Sequence, residues 1–212
     1  MNNPKLTITI RHTAQATWDT IAAMVGMPIG SEIDVTMKDG SVVTFQLAAD
    51  NVYGDHKAFV SKDCVLDERV MNDEWTNAGG WAESKMRSAT MKELLELLPD
   101  ELREIIVPRK ITQEIRGETF ESEDLIWVPS YTEVVGPDGW GAKADENDVH
   151  FPLFSSERAC VKQDRDHLET LWWWLRSPGT DGTSAFCSIT ASGSSDINSA
   201  NSSRGVAFGF LI

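Results

Sequence analysis

The run Trp172-Trp-Trp-Leu-Arg-Ser-Pro-Gly179, the polar tract Thr180 to Ser203 and the close Gly205-Val-Ala-Phe-Gly-Phe-Leu-Ile212 decide how this chain is read. Two apolar segments enclose a stretch made mostly of Ser, Thr, Asn, Asp, Gly and Ala. In the closing segment Val206, Phe208, Phe210 and Ile212 share one face, and Ala207, Gly209 and Leu211 the other. That alternation predicts a final strand buried on at least one side. A tract with both ends fixed in core is a pinned loop system rather than a fraying tail. Phe186, Ile189 and Ile197 interrupt it, unlike a plain Ser/Gly linker. Ile189 and Ile197 are expected as fixed core pegs, and Phe186 as a variable aromatic anchor.

The tract contains no Trp, Gln, Lys, Glu or Met, which together make up about one residue in five of the chain. These are the residues that cannot arise when an AAC or AAT asparagine codon is altered only at its two adenines. Asn, Ser, Thr, Asp, Gly, Ala, Ile, Phe and Cys can all arise that way, and all are present. The bias is compositional, but it has a chemical source.

Upstream, Lys5 to Ile10 alternates as a strand, and Thr13 can cap a helix with Trp18, Ile21, Ala22 and Val25 on one face, stopped by Gly26. Ile33, Val35 and Met37 run to an Asp39-Gly40 hairpin turn, and Val43, Phe45 and Leu47 return. Ala58 to Val60 adds a further strand. Residues 1–70 thus read as a helix on a small antiparallel sheet, packed into the same unit as residues 71–212. In the second part Ser88 is expected to cap a helix with Met91, Leu94, Leu95 and Leu98, and Leu102, Ile105 and Ile106 suggest a further turn after Pro99. Val107 to Ile115 reads as extended and Asp124 to Pro129 as a buried strand. Ser130-x-x-Glu133 has capping-box spacing, and Gly136 to Asp148 is a Gly-rich acidic loop. Trp81, Trp127 and Trp140, with Trp172, Trp173 and Trp174, are read as core, because large aromatics dominate burial in loop-rich folds. Along an extended run, Trp172 and Trp174 share one side and Trp173 takes the other.

At 212 residues the chain can bury a sizeable core. A net charge of −14 argues against nucleic acid or an anionic membrane as partner, both of which call for a basic footprint. No apolar run reaches the roughly 20 residues of a spanning helix, and the N-terminus shows no secretory signal pattern. Cys64, Cys160 and Cys187 read as free buried thiols. His12, His56, His150 and His167 lack zinc spacing. Asp145, Glu146, Asn147 and Asp148 read as a solvated acidic loop, since the twelve-residue calcium pattern is missing. No nucleophile, base and oxyanion site assembles, so neither an enzyme nor a cofactor or metal is expected.

The motif Trp173-Trp-Leu-Arg-Ser-Pro-Gly179, a polar tract and Gly205-Val-Ala-Phe-Gly-Phe210 resembles the C-terminal signature of a family of gut-bacterial and phage proteins. Trp18-Asp-Thr-Ile21, Gly80-Trp-Ala-Glu-Ser-Lys-Met-Arg87, Leu97-Leu-Pro99 and Asp124-Leu-Ile-Trp-Val-Pro-Ser130 with Thr132-Glu133 extend the likeness over most of the chain. Such proteins are similar to the variable proteins of diversity-generating retroelements, whose genes a reverse transcriptase rewrites at template adenines. The resemblance implies an α+β, C-type-lectin-like fold, shared with phage receptor-binding tip proteins and formylglycine-generating enzymes, with short antiparallel strands, few helices and much loop. It implies a variable region of about 173–212 on a static scaffold. The variable positions would be Thr180, Asp181, Thr183, Ser184, Phe186, Ser188, Thr190, Ser192, Ser194, Ser195, Asp196, Asn198, Ser199, Asn201 and Ser202. The scaffold core would be Trp81, Trp127, Trp172, Trp173, Trp174, Val206, Phe208 and Phe210. It further implies a non-enzymatic receptor-binding protein of a phage tail tip or bacterial surface, with a protein or glycan ligand; a homo-oligomer stays open. The alternatives are a metal- or thiol-dependent enzyme using Cys160, Cys187 or the loop at Asp145, and a structural virion module. The sugar-binding triplets of true C-type lectins are missing, so lectin-like shape alone does not imply sugar binding.

Overall fold

The computed structural model describes residues 7–9, 15–144, 147–179 and 181–212. Its first strand, β1 (Thr7–Thr9), precedes helix α1 (Gln15–Ala23), then β2 (Glu32–Thr36), β3 (Val42–Val52) and β4 (His56–Ser61). Thr13, Lys5 and Ile10 lie outside the described residues. The inward alternation is as the sequence predicts, with Ile33, Val35, Phe45 and Leu47 each at most 1% exposed. On α1, Trp18 and Ile21 face the core, but Ala22 and Val25 do not. The helix ends at Ala23, so Val25 falls beyond it and stands 96% exposed.

A π-helical turn (Met86–Thr90) leads into α2 (Met91–Leu97), followed by α3 (Asp100–Arg103). Ser88 therefore sits inside the helical run instead of capping it, and its hydroxyl donates back to the Ser84 carbonyl at 3.0 Å. The hairpin β5 (Arg109–Ile115) and β6 (Glu118–Asp124) follows, then β7 (Ile126–Trp127). The buried strand expected from Asp124 to Pro129 is shorter than its apolar run, because Asp124 belongs to β6. Helix α4 (Tyr131–Val134) starts with the expected capping box: Ser130 Oγ accepts from the Glu133 N–H, and Glu133 accepts from the Ser130 N–H. Short 3₁₀ turns (Ala142–Ala144 and Pro152–Phe154) lead to α5 (Glu157–Cys160), β8 (Lys162–Gln163) and β9 (Thr170–Leu171). The chain closes with β10 (Trp173–Pro178), β11 (Ala185–Ile189), β12 (Ser195–Ser199) and β13 (Gly209–Leu211).

The main sheet has the order β1-β2-β3-β4-β13-β7, antiparallel except for β1 on β2. The closing strand is thus interior, with Phe210 opposite Phe59 on one side and Ile126 on the other. Phe210 stacks on Phe59 at 5.7 Å and meets the edges of Phe45 (5.0 Å) and Trp18 (6.4 Å). One sheet therefore contains strands from both sides of the 70/71 point. The remaining sheets are β10-β11-β12, β5-β6 and β8-β9, all antiparallel. The architecture is mixed α+β, built mostly of small antiparallel sheets with few helices and much loop. Among the described residues no helix is long and apolar enough to cross a membrane.

Candidate binding face

The polar tract is not a loop system throughout: it folds as the hairpin β11–β12 against β10. Alternation could not announce this, because β10 and β11 are buried on both faces. Trp173, Trp174, Leu175, Phe186, Cys187, Ser188 and Ile189 are all 0% exposed. Each indole has its polar handle satisfied: Trp173 Nε1 donates to the Cys160 carbonyl (2.9 Å) and Trp174 Nε1 to that of Arg69 (2.8 Å). Trp172 is only half-buried, its ring lying 5.4 Å from the Arg204 guanidinium. Trp140, expected in the core, stands 47% exposed.

Burial sorts the expected variable positions. Phe186 and Ser188 are corrections: both lie in the interior and can present nothing to a ligand. Ile189 is buried as a peg should be, whereas Ile197 is 46% exposed because β12 is the edge strand. Asp181, Thr183, Ser192, Asp196 and Asn201 are exposed; Ser184, Thr190, Ser194, Ser195, Asn198, Ser199 and Ser202 are half-buried. Thr180 lies outside the described residues. The Thr190 N–H bonds to the Ser194 carbonyl and the Ala200 N–H to that of Ser184, so the backbone N–H and C=O groups of residues 195, 197 and 199 point away from β11, toward the open edge of β12. The Ile197 N–H is taken up by the Asp196 carboxylate at 2.7 Å, which blunts this edge.

What the sequence did not disclose is how the backbone of the tract is held. Asn77, fully buried, donates from its side-chain amide to the carbonyls of Gly179 (2.9 Å), Gly182 (3.2 Å) and Ala185 (2.8 Å). Its backbone N–H donates to the Thr183 carbonyl (2.8 Å), and Arg116 adds a bond to Gly182 (2.9 Å). The Asn72 N–H donates to the Ala200 carbonyl (3.0 Å). At the far turn, Ser194 Oγ donates to Glu157 (3.0 Å) and Gly193 packs on the Glu157 backbone. Asn198 donates to Ser188 Oγ (2.8 Å), and Arg204 donates to Asn198. The only advance sign of Asn77 was its place in the loop Thr76 to Gly80.

Below β10 lies a buried charge cluster, equally invisible from spacing. Glu133 accepts from Arg109, from Arg176 (2.7 Å) and from the Tyr53 hydroxyl (2.9 Å). Asp148 accepts from the same two arginines, so two anions balance two cations. Burial opposes the charge on Glu133, but Arg109 and Arg176 outweigh it and hold the carboxyl down at about 2. Asp148, the fourth residue of the acidic loop, is therefore a structural ion-pair partner; Asp145 and Glu146 lie outside the described residues.

Conventional chemistry is sparse. Cys64, Cys160 and Cys187 are all buried. Burial pushes the Cys64 thiol up to about 12 and the Cys160 thiol up to about 11, despite the Lys162 ammonium nearby. Lys162, itself 1% exposed, is lowered by burial to about 8 and caps the Ser61 (2.5 Å) and Lys62 (3.0 Å) carbonyls. Among the described residues no group of three or more His, Cys, Asp or Glu side chains could hold a metal ion.

Fold and site together define a mixed α+β architecture in which an apolar frame carries a hairpin with one buried strand and one polar edge strand. The chain belongs to a family whose model is described as Domain of unknown function (DUF6273), which matches residues 55–212 and so takes in β4 and everything after it. No curated protein and no solved structure matches it.

Proposed function

We propose that this protein is a non-enzymatic, receptor-binding variable protein of a diversity-generating retroelement, with a C-type-lectin-like fold. Its target is set by the exposed positions of the tract, in a phage tail tip or on a bacterial surface. The observation that carries this reading is the division of labour at the hairpin. Its backbone is fixed by residues outside the tract, chiefly Asn77, Asn72 and Arg116, while Asp181, Thr183, Ser192, Asp196 and Asn201 turn outward. A surface that must accept many side chains is best carried on backbone whose geometry those side chains do not determine. The tract's lack of Trp, Gln, Lys, Glu and Met adds an independent, genetic argument. The burial of Phe186 and Ser188 narrows the diversified set to the exposed and half-exposed positions.

The test is genomic. A nearby near-copy of the 3′ end of the gene, differing from it only at adenines, is expected beside a reverse transcriptase gene. Differences spread over all four bases, or adenine changes falling on Phe186 and the Trp173–Trp174 frame as often as on Asp196 and Asn201, would sink the reading.

A further inference from the structure

Trp140 is a large aromatic left 47% exposed. Its ring meets that of Tyr131 at 5.1 Å and 61°. Gly139 and Gly141, on either side of it, lie so close to the Tyr131 ring that a Cβ at either position would overlap the ring. The loop backbone therefore runs flat across a buried tyrosine, and Trp140 is left at the surface. Tyr131 is itself tied into the interior: it is 2% exposed, and its N–H donates to Ser177 Oγ at 2.7 Å.

This loop adjoins both ends of the hairpin. The Tyr131 hydroxyl lies 3.4 Å from Ser195 Oγ on β12, and Lys143 pairs with Asp181 at 3.5 Å in the turn before β11. The surroundings are acidic. Asp138 and Asp181 are exposed, Asp196 is exposed on β12, and the chain carries a net charge of −14. Asp138 lies two residues before Trp140, and beside the Lys143–Asp181 pair the exposed Asp196 leaves this loop and the hairpin net acidic. An exposed aromatic ring in an acidic setting attracts a cation, through the ring quadrupole and the field of the acids.

We infer that Trp140 is a fixed aromatic anchor of the binding face, and that it takes an arginine or lysine side chain of a protein partner. The inference rests on the tract being a binding face, and it assigns that face a component that does not vary. Diversified side chains would then tune a contact whose first foothold is constant. A rigid aromatic loses little conformational freedom on binding, which suits it to that part.

The experiment follows the indole N–H resonances of the labelled full chain, with Trp140→Phe and Trp75→Phe assigning the two peaks. Trp75, 68% exposed, is the internal control. Added tetra-arginine amide should shift the Trp140 resonance saturably, less so in high salt, and leave Trp75 still. Tetra-glutamate and lactose should do nothing. Trp140→Ala should weaken peptide binding by about three- to tenfold. No shift at Trp140, an equal response at Trp75, or a response to lactose instead of the peptide overturns the inference. If substitutions at Thr183, Asp196 and Asn201 leave the fold intact while Trp140 stays silent, this inference alone falls. If those substitutions unfold the protein while Trp140 still responds, the anchor stands and the diversified-face reading falls.

Discussion

The buried side-chain amide of Asn77 donates to the carbonyl of Ala185, 108 residues away, at 2.8 Å. The same nitrogen reaches Gly179 and Gly182, so one amide gathers three carbonyls at the entrance to β11. Asn77→Ala should cost about 1–3 kcal/mol in denaturant unfolding, because buried acceptors lose their donor. Asn77→Asp should be at least as damaging, since a carboxylate has no proton to offer and faces carbonyl oxygens. If either variant unfolds at the wild-type midpoint, the amide is not what holds the turn.

Substitution of the outward positions should be nearly silent. Changing Thr183, Ser192, Asp196 and Asn201, singly or together, is expected to move stability by about half a kcal/mol or less per site. Phe186→Ala, in the same tract, should cost about 3–5 kcal/mol because it empties a filled interior site. Thermal melts of the two sets compare them directly; similar losses would erase the distinction between frame and face.

The sequence disclosed what repeats locally and missed what is held at a distance. Alternation found β2 and β3, and the spacing of Ser130 and Glu133 found the capping box of α4. The closing strand was readable because apolar residues on both faces suit an interior position, which β13 occupies between β4 and β7. The hairpin β11–β12 was unreadable: β11 is buried on both sides with Ser188 among its interior residues, and β12 is a polar edge strand. Neither shows the period of a half-buried strand. Trp140 misled because composition says how large a side chain is, and only the tyrosine beneath the loop says which way it points. Asn77 and the cluster of Arg109, Glu133, Asp148 and Arg176 are long-range contacts with no local pattern.

Acid should act through that cluster. Glu133 sits at about 2 against an ordinary 4.5, because Arg109 and Arg176 overcome the cost of burial. A carboxylate lowered on folding contributes stability that is present above its unfolded value and is lost as pH falls through the folded one. The window is therefore about pH 4.5 down to about 2. Asp148 works in the opposite sense: burial raises it, although Arg176 opposes this, so it takes up a proton first and its charged form costs stability. Denaturant midpoints across this range should fall steeply in the wild type and in Asp148→Asn, and less steeply in Glu133→Gln. An equal slope in Glu133→Gln would place the acid sensitivity elsewhere.

Gly193 should be the one invariant position on the outer turn. Its φ is +96°, a backbone conformation that residues with a Cβ adopt only under strain. A methyl group there would also overlap the Glu157 carbonyl oxygen, which belongs to α5 and not to the hairpin. Strain and overlap act together, so Gly193→Ala should cost about 1–3 kcal/mol or more. Ser192→Ala, one residue earlier and exposed, should cost about half a kcal/mol or less. The turn's own bonds, Thr190 N–H to Ser194 and Gly193 N–H to Thr190, need only backbone and Thr190, so they give no reason for a glycine. The φ of +96° and the docking on Glu157 do. Hydrogen exchange should show the Gly193→Ala damage at the Gly193 and Ser194 amides and around α5, with the amides of β13 unaffected. Loss spread evenly through the main sheet would mean that the turn is not a separately docked element.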